Sequence, residues 1–207
     1  IYMLTGKAIC EYTVASTSQM LNPVTGDLDS EILSAIDIPR EKFGVMTQPG
    51  TVVGVLTEQI QEATGLGAIP VIAVAGHDTG SAVAAVPAKD MEYAYLSCGT
   101  WSLLGIESDK AIITEDSFRE NFTNEGGIEG TTRFLKNICG MWILEQCRKE
   151  WEREGKEYSY PQIVEMAHAA EPFVSFINPD DASFANPQSM LKAIEAFCVR
   201  TGQPVPQ

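Results

Sequence analysis

The sequence is poor in basic residues, has only two histidines and contains no long apolar run. Its 14 Lys and Arg residues against 28 Asp and Glu residues give a net charge of -14, which repels nucleic acid and anionic membranes. No apolar run has the length that spans a bilayer. With His77 and His168 alone, a histidine-rich metal site is excluded. We therefore expect neither nucleic acid nor a membrane as partner, whereas backbone amides and a metal ion can still hold an anionic small ligand.

Close cysteine pairs are also missing, although the chain has five cysteines. These are Cys10, Cys98, Cys139, Cys147 and Cys198. Zinc sites and disulfide oxidoreductases usually present two cysteines in a C-x-x-C pair, so neither class is indicated. An odd number of unpaired thiols is typical of a reduced compartment, and we predict a cytoplasmic protein. The G-x-S-x-G, H-E-x-x-H and Walker A motifs are likewise absent, which excludes the commonest hydrolase, zinc-protease and P-loop sites.

The 207 residues are enough for one large or two small domains. The chain opens on Ile1 in a segment typical of the tail of a helix and stops on the linker-like "TGQPVPQ". We interpret it as an internal fragment of a longer protein. The pattern of apolar residues changes after Pro87, so we place a domain boundary near residues 87–90.

Residues 51–86 alternate between strand and helix patterns, which indicates an α/β fold with some parallel pairing. "PGTVVGVL" is strand-like, and "TEQIQEATG" predicts a helix that begins at Thr57 and ends at Gly65. "IPVIAVA" is apolar at nearly every position, which predicts a central strand covered on both faces. We expect a helix to follow at Asp78.

The second half of the chain predicts strands followed by three helices. "MEYAYLSCGTWSLLGIES" predicts two strands joined by a hairpin at "SCGT". "FTNEGGIEG" predicts a flexible acidic loop, and "GTTRFLKNI" predicts a further strand. A long amphipathic helix then places Met141, Leu144, Cys147 and Trp151 on one face. The segments "YPQIVEMAHAA" and "NPQSMLKAIEAFCVRTG" predict two more helices.

Three stretches have residues suited to binding or catalysis, each with a plain structural alternative. In "AGHDTG" the loop after an apolar strand is where open α/β sheets bind ligands, but Asp78 is equally well explained as a helix cap and His77 as a structural residue. Gly99 and Thr100 of "SCGT" suit phosphate oxygens, although most such hairpins are only turns. Asn124 and Glu125 of "TNEGG" suit a polyol or merely a solvated loop.

These stretches together resemble the FGGY family of carbohydrate kinases. "VAGHDTGSAVAAVPA" is similar to its sugar-kinase element, and "GTWSL", "TNEGG" and "LKNICGMW" are similar to the branch that acts on L-rhamnulose. The resemblance covers nearly the whole chain. It implies an α/β, actin-like and ribonuclease-H-like two-domain fold, present as an incomplete fragment. Residues 1–88 would be the last part of the sugar-binding N-terminal domain, and residues 89–207 the first part of the ATP-binding C-terminal domain.

The resemblance also implies roles for single residues. Asp78 would be the catalytic base that takes the proton of the sugar's primary hydroxyl as that oxygen attacks the γ-phosphate of ATP, with Mg²⁺ as the metal. The implied sugar contacts are His77, Asp78, Thr79 and Asn137. The implied nucleotide contacts are Thr100 and Glu145, and at Glu145 this chain departs from the glutamine of the family. The family's first phosphate hairpin and its glycine-rich adenosine motif do not occur in these residues.

Three alternatives to an L-rhamnulose kinase remain open at this point. One is another kinase of the same family, acting on fuculose, xylulose or glycerol. A second is a fragment that folds and binds weakly without turnover. A third is an actin-like structural or chaperone ATPase, against which the "TNEGG" and "LKNICGMW" stretches argue.

Overall fold

The computed structural model describes residues 1–90 and 92–206, which pack into two compact units. Unit 1 comprises Ile1–Tyr95 and Leu104–Lys136, and unit 2 comprises Leu96–Leu103 and Asn137–Gln207. No helix within the described ranges is long and apolar enough to cross a membrane. The domain boundary near residues 87–90 stays a prediction.

Short helices and strands alternate along the first part of the chain. In order they are α1 (Tyr2–Thr5), β1 (Ile9–Glu11), α2 (Tyr12–Ser16), β2 (Leu21–Asn22), β3 (Asp27–Leu28), α3 (Ser30–Ala35), a 3₁₀ turn (Arg40–Lys42), β4 (Val45–Thr47), β5 (Val52–Val55), α4 (Glu58–Thr64), β6 (Pro70–Ile72) and α5 (Asp78–Ala84).

The second part has longer strands and longer helices. They are β7 (Ala94–Cys98), β8 (Trp101–Ser108), α6 (Glu115–Arg119), β9 (Thr123–Gly126), β10 (Thr132–Cys139), α7 (Trp142–Arg153), α8 (Tyr160–Ala169), a 3₁₀ turn (Ala182–Phe184) and α9 (Met190–Arg200). The predicted β7–β8 hairpin, the "GTTRFLKNI" strand and the three C-terminal helices are all confirmed.

The strands pair in small sheets. β1 pairs with β4 in parallel, β2 with β3 antiparallel and β5 with β6 antiparallel, while a four-stranded sheet has the order β7-β8-β10-β9. β9 and β10 run antiparallel, and their register places Arg133 directly opposite Glu125. Directly opposite residues on antiparallel strands lie close enough for their side chains to interact.

The prediction of β6 as a central strand covered on both faces was wrong. Among the described residues β6 pairs with β5 alone, and that pair is antiparallel; parallel pairing occurs between β1 and β4 instead. Ile72 and Val74 are 51% and 66% exposed, whereas Ala73 and Ala75 are buried. A continuous apolar run does not encode which face is covered, because the alternation that would reveal the buried face is missing.

Helix ends follow the local signals. α1 ends at Gly6 and α4 at Gly65, and both glycines adopt the left-handed conformation, with φ of 69° and 72°. Thr57 is the N-cap residue of α4, as predicted. Glycine takes this conformation without the steric penalty of a Cβ atom, so it commonly terminates helices.

The core of unit 2 is built on α7 and α9. Its buried residues are Ile143, Cys147, Phe184, Met190 and Phe197. Trp151 packs against this cluster and Leu144 is half-buried, in keeping with the predicted face of α7. Met141 was wrongly included in that face: it is 41% exposed and lies at the N-cap, before the first helical turn, where Ile143 provides the buried contact instead.

A side chain of α7 caps the N-terminus of α9. The Ser189 hydroxyl accepts a hydrogen bond from the Lys192 amide at 3.1 Å and donates to Glu150 Oε2 at 2.7 Å. The Met190 amide donates to Glu150 Oε1. Because helix N-termini leave amides without intrahelical partners, Glu150 of one helix completes the cap of the other.

Candidate functional site

The "AGHDTG" stretch forms the loop after β6 and the first turn of α5. His77 is the N-cap residue, with extended dihedral angles of -74° and 121°, and Asp78 is the first residue of the helix. The interpretation of Asp78 as the cap was therefore wrong. Its side chain is 97% exposed, and Oδ1 accepts a hydrogen bond from the Thr79 amide at 2.7 Å. Asp78 thus presents an accessible carboxylate, while Thr79 beside it is half-buried.

Two residues at the start of α2 hold this loop in place. Glu11 caps α2 by accepting hydrogen bonds from the Thr13 and Val14 amides at 2.9 and 3.0 Å. Glu11 Oε2 also accepts from the Gly76 amide at 3.0 Å, and the fully buried Thr13 hydroxyl accepts from the His77 amide at 3.1 Å. A Cβ atom at Gly76 would lie 3.0 Å from Glu11 Oε2, so this close approach favours glycine.

Arg133 of β10 lies fully buried against the same loop. Its Nη2 forms an ion pair with Glu125 Oε2 at 3.0 Å and contacts His77 Nδ1 at 3.0 Å, while Nε donates to the Gly126 carbonyl at 3.1 Å. Burial raises the pKa of the neighbouring Tyr95 hydroxyl to about 12, so that group is neutral at physiological pH. Buried charges are costly unless paired, and Arg133 meets this condition through Glu125.

The "TNEGG" stretch is not the flexible loop that the sequence predicted, because it forms strand β9. The Asn124 side chain accepts from the Ile112 amide at 2.8 Å and donates to the Ile112 carbonyl at 3.0 Å. Glu125 is 8% exposed. Acidic and glycine-rich composition favours a loop, but here Arg133 neutralises the inward-facing carboxylate and makes the strand compatible with burial.

His77 therefore lies between two carboxylates. Its Nδ1 is 3.7 Å from Glu125 Oε2, and its Nε2 is 3.7 Å from Asp78 Oδ1. Both carboxylates are thus beyond hydrogen-bond distance, whereas Arg133 Nη2 lies 3.0 Å from Nδ1. A quarter of the side chain is exposed. The imidazole thus has one edge held by the protein and the other beside the accessible Asp78.

The other three predicted site residues belong to unit 2. Thr100 is exposed at the β7–β8 turn, and Asn137 is exposed on β10. The Gly99 and Thr100 carbonyls accept hydrogen bonds from the Met141 and Trp142 amides at 3.1 and 3.2 Å. The turn is thereby attached to the beginning of α7.

Glu145, in the first turn of α7, has partners on its own unit. Its carboxylate accepts a hydrogen bond from the Tyr160 hydroxyl, which raises the pKa of Tyr160. Arg148 Nε lies 4.0 Å from the same carboxylate, and the guanidinium lies over the Tyr160 ring at 4.8 Å. These contacts offset the charge of Glu145, which would otherwise repel a polyphosphate.

Comparison with known proteins identifies the family. The N-terminal domain of the FGGY family of carbohydrate kinases matches residues 1–85, and its C-terminal domain matches residues 94–207. The chain belongs to the FGGY family of carbohydrate kinases. The resemblance seen in the sequence is therefore confirmed.

The similar proteins agree with this assignment. The chain is 58% identical over 206 residues to a rhamnulokinase of Bacteroides thetaiotaomicron and 43% identical over 206 residues to a rhamnulokinase of Bacillus subtilis. Each alignment covers all of this chain and 42% of the relative, so the chain spans about two fifths of the length of these FGGY proteins.

Solved structures show the fold. A ligand-bound xylulose kinase from Lactobacillus acidophilus matches 83% of this chain and 34% of its own, with a TM-score of 0.65 and 20% identity. A xylulose kinase from Rhodospirillum rubrum matches 97% of this chain and 45% of its own, with a TM-score of 0.67 and 16% identity. The α/β, actin-like and ribonuclease-H-like fold class of the FGGY kinases is thus confirmed.

Sequence reasoning missed the residues that hold the site together, namely Glu11, Thr13 and Arg133. Arg133 had one detectable signal. Because alternate residues of a strand lie on the same face, Arg133 shares a face with the fully buried Leu135. An arginine on a buried face needs a carboxylate partner to offset the cost of burying its charge. Glu11 is 65 positions from Gly76 in the sequence and gave no such signal.

Proposed function

We propose that the protein containing this chain transfers the γ-phosphoryl group of ATP to the primary hydroxyl of L-rhamnulose, forming L-rhamnulose 1-phosphate and ADP. The observation that carries the proposal is the 58% identity to a rhamnulokinase over essentially the whole chain. In this proposal residues 1–88 belong to the sugar-binding domain and residues 89–207 to the ATP-binding domain. The reaction takes place in the cytoplasm, where the five unpaired cysteines are stable.

Asp78 acts as the general base in this reaction. The sugar hydroxyl oxygen attacks the γ-phosphorus, its proton passes to Asp78, and the bond to ADP breaks. Phosphoryl transfer depends mainly on positioning and charge neutralisation, so one well-placed carboxylate is sufficient as the base. The accessibility of Asp78 supports the assignment, because the side chain is 97% exposed.

His77, Thr79 and Asn137 contact the sugar in this proposal. The Nε2 edge of His77 lies 3.7 Å from Asp78 Oδ1, so both groups can address one hydroxyl. A donor and an acceptor side by side suit a hydroxyl group, which can accept one hydrogen bond and donate another. Asn137 is exposed and offers both an amide donor and a carbonyl acceptor.

Thr100 and Glu145 contact the nucleotide. The exposed Thr100 hydroxyl and the backbone of its turn suit phosphate oxygens. Mg²⁺ would neutralise charge on the phosphates as they react. Within the described residues no group of three or more His, Cys, Asp and Glu side chains is placed to hold a metal ion. Glu145 already accepts a hydrogen bond from the Tyr160 hydroxyl, so its carboxylate would meet the nucleotide as a paired group and not as a free anion.

Coupled ADP release tests this proposal on the gene product that contains these residues. We expect turnover with L-rhamnulose and weaker turnover with L-fuculose, D-xylulose and glycerol. Asp78→Asn should lower kcat by about 100-fold or more, whereas Asp109→Asn, a matched change at an exposed aspartate, should not. A preference for another sugar would refute the substrate, and normal turnover of the Asp78→Asn variant would refute the base.

The same assay tests whether residues 1–207 suffice for turnover. We expect none from this chain alone, because the family's first phosphate hairpin and adenosine motif do not occur in it. Measurable turnover by residues 1–207 would contradict this expectation.

A further inference from the structure

The hydrogen-bond chemistry of Arg133 fixes the tautomer of His77. A guanidinium has only donors, so the His77 Nδ1 atom, 3.0 Å from Arg133 Nη2, must act as an acceptor. In a neutral imidazole one nitrogen accepts while the other carries the proton. The proton of His77 therefore lies on Nε2, at the edge of the ring beside Asp78.

The charged groups around the ring explain why Arg133 matters. Glu125 from β9 lies 3.7 Å from Nδ1, Asp78 from α5 lies 3.7 Å from Nε2, and Glu11 binds the amide of the preceding Gly76. Without Arg133, the Glu125 carboxylate would be an acceptor for a proton on Nδ1. Arg133 opposes this arrangement, because it contacts Nδ1 as a donor and pairs with Glu125.

We propose that Arg133, held by Glu125, is a positioning residue that keeps the proton of the His77 imidazole on Nε2. His77 then donates one hydrogen bond from Nε2 toward the substrate hydroxyl, beside the Asp78 carboxylate that accepts one. The inference deepens the proposed function and rests on it for the role of His77, whereas the tautomer follows from the geometry alone.

Nuclear magnetic resonance of the ¹⁵N-labelled gene product tests the tautomer directly. The His77 signals are assigned by their loss in His77→Gln, and His168→Gln serves as the control that leaves them in place. We expect the Nε2–H tautomer at pH 7.5. A proton on Nδ1, or an imidazolium at pH 7.5, would overturn the proposal whether or not the protein phosphorylates a sugar.

A pair of substitutions at His77 tests its role as a donor. The glutamine amide of His77→Gln reaches about as far as Nε2 and restores a donor there, whereas the shorter side chain of His77→Asn does not. We expect His77→Gln to stay within about tenfold of the wild-type kcat/KM for the sugar and His77→Asn to lose about tenfold more. Equal losses in both variants would overturn the donor role.

The tautomer of His77 in Arg133→Met separates positioning from a purely structural role of Arg133. In this variant the guanidinium donor is gone and the Glu125 carboxylate remains beside Nδ1 as an acceptor, so we expect the ¹⁵N spectrum at pH 7.5 to show a proton on Nδ1 in at least part of the molecules. Arg133→Lys, which keeps a donor, should retain more of the Nε2–H tautomer. A folded Arg133→Met variant that keeps the wild-type Nε2–H tautomer would overturn the proposal.

Two further outcomes are distinguishable. If Arg133→Met does not fold, the tautomer measurement and the His77 pair still decide the question. If the wild type shows the Nε2–H tautomer but phosphorylates no sugar in the panel, the proposed function fails while the assignment of the proton to Nε2 stands.

Discussion

Replacing Glu11 by alanine should loosen the loop that carries His77 and Asp78. The substitution removes the cap of α2, which costs about 1 kcal/mol, and the charged hydrogen bond to the Gly76 amide, which costs about 1.5 kcal/mol. We therefore expect a local destabilisation of about 2.5 kcal/mol. The Thr13 hydroxyl also loses its acceptor, so its contact with the His77 amide weakens as well.

Asp29→Ala is the matched control, because Asp29 caps α3 through the Glu31 and Ile32 amides at 2.9 and 3.2 Å, and its other side-chain hydrogen bond is with Asn22. It should cost about 1 kcal/mol. Amide hydrogen exchange at Gly76 and His77 measures the difference. We expect exchange at both amides to be at least about tenfold faster in Glu11→Ala than in Asp29→Ala, since about 1.4 kcal/mol corresponds to a factor of ten.

Unchanged exchange at Gly76 and His77 in Glu11→Ala would refute this reasoning. It would mean that the loop is held by its own backbone and that the contacts with α2 contribute nothing to its order. A loss of sugar kcat/KM in Glu11→Ala without faster exchange would assign Glu11 a direct role in the reaction instead.

Two further predictions concern the interior. Gly105→Ala would place a Cβ atom 2.6 Å from Leu135 Cβ and 2.7 Å from the Tyr95 hydroxyl. We expect the free energy of unfolding, measured with urea, to fall by about 1–3 kcal/mol. An unchanged unfolding midpoint would contradict this close packing. Burial raises the pKa of the Cys147 thiol to about 11, whereas Cys98 is exposed, so iodoacetamide at pH 8 should label Cys98 rapidly and Cys147 only after unfolding. Mass spectrometry of the labelled peptides checks this, and equal rates would contradict it.

The sequence predicted features that depend on near neighbours in the chain. The helix end at Gly65 and the hairpin at "SCGT" follow from the conformational freedom of glycine, which needs no tertiary information. His77 and Asp78 could be singled out because a polar pair interrupts two apolar segments. Their grouping on one loop is a consequence of adjacency alone.

The contacts that organise the site could not be predicted, since they join residues far apart in the sequence. Arg133 is 56 positions from His77, and Glu11 is 65 positions from Gly76. The prediction for β6 failed for a related reason, because an apolar run indicates burial but does not indicate which partner provides it. The prediction of a loop at "TNEGG" failed because the charge of Glu125 is neutralised by Arg133 of the neighbouring strand.

The contact between Glu150 and the start of α9 couples the folding of two helices. Ser189 and the Met190 amide depend on a carboxylate that α7 provides, so α9 cannot complete its cap before the two helices dock. Helix nucleation is the unfavourable step in isolated peptides. Because Glu150 reaches α9 only when the two helices dock, its hydrogen bonds stabilise the docked helices and the first turn of α9 at the same time. Unit 2 should therefore gain helix and core in one cooperative step, with α9 poorly helical as a separate peptide.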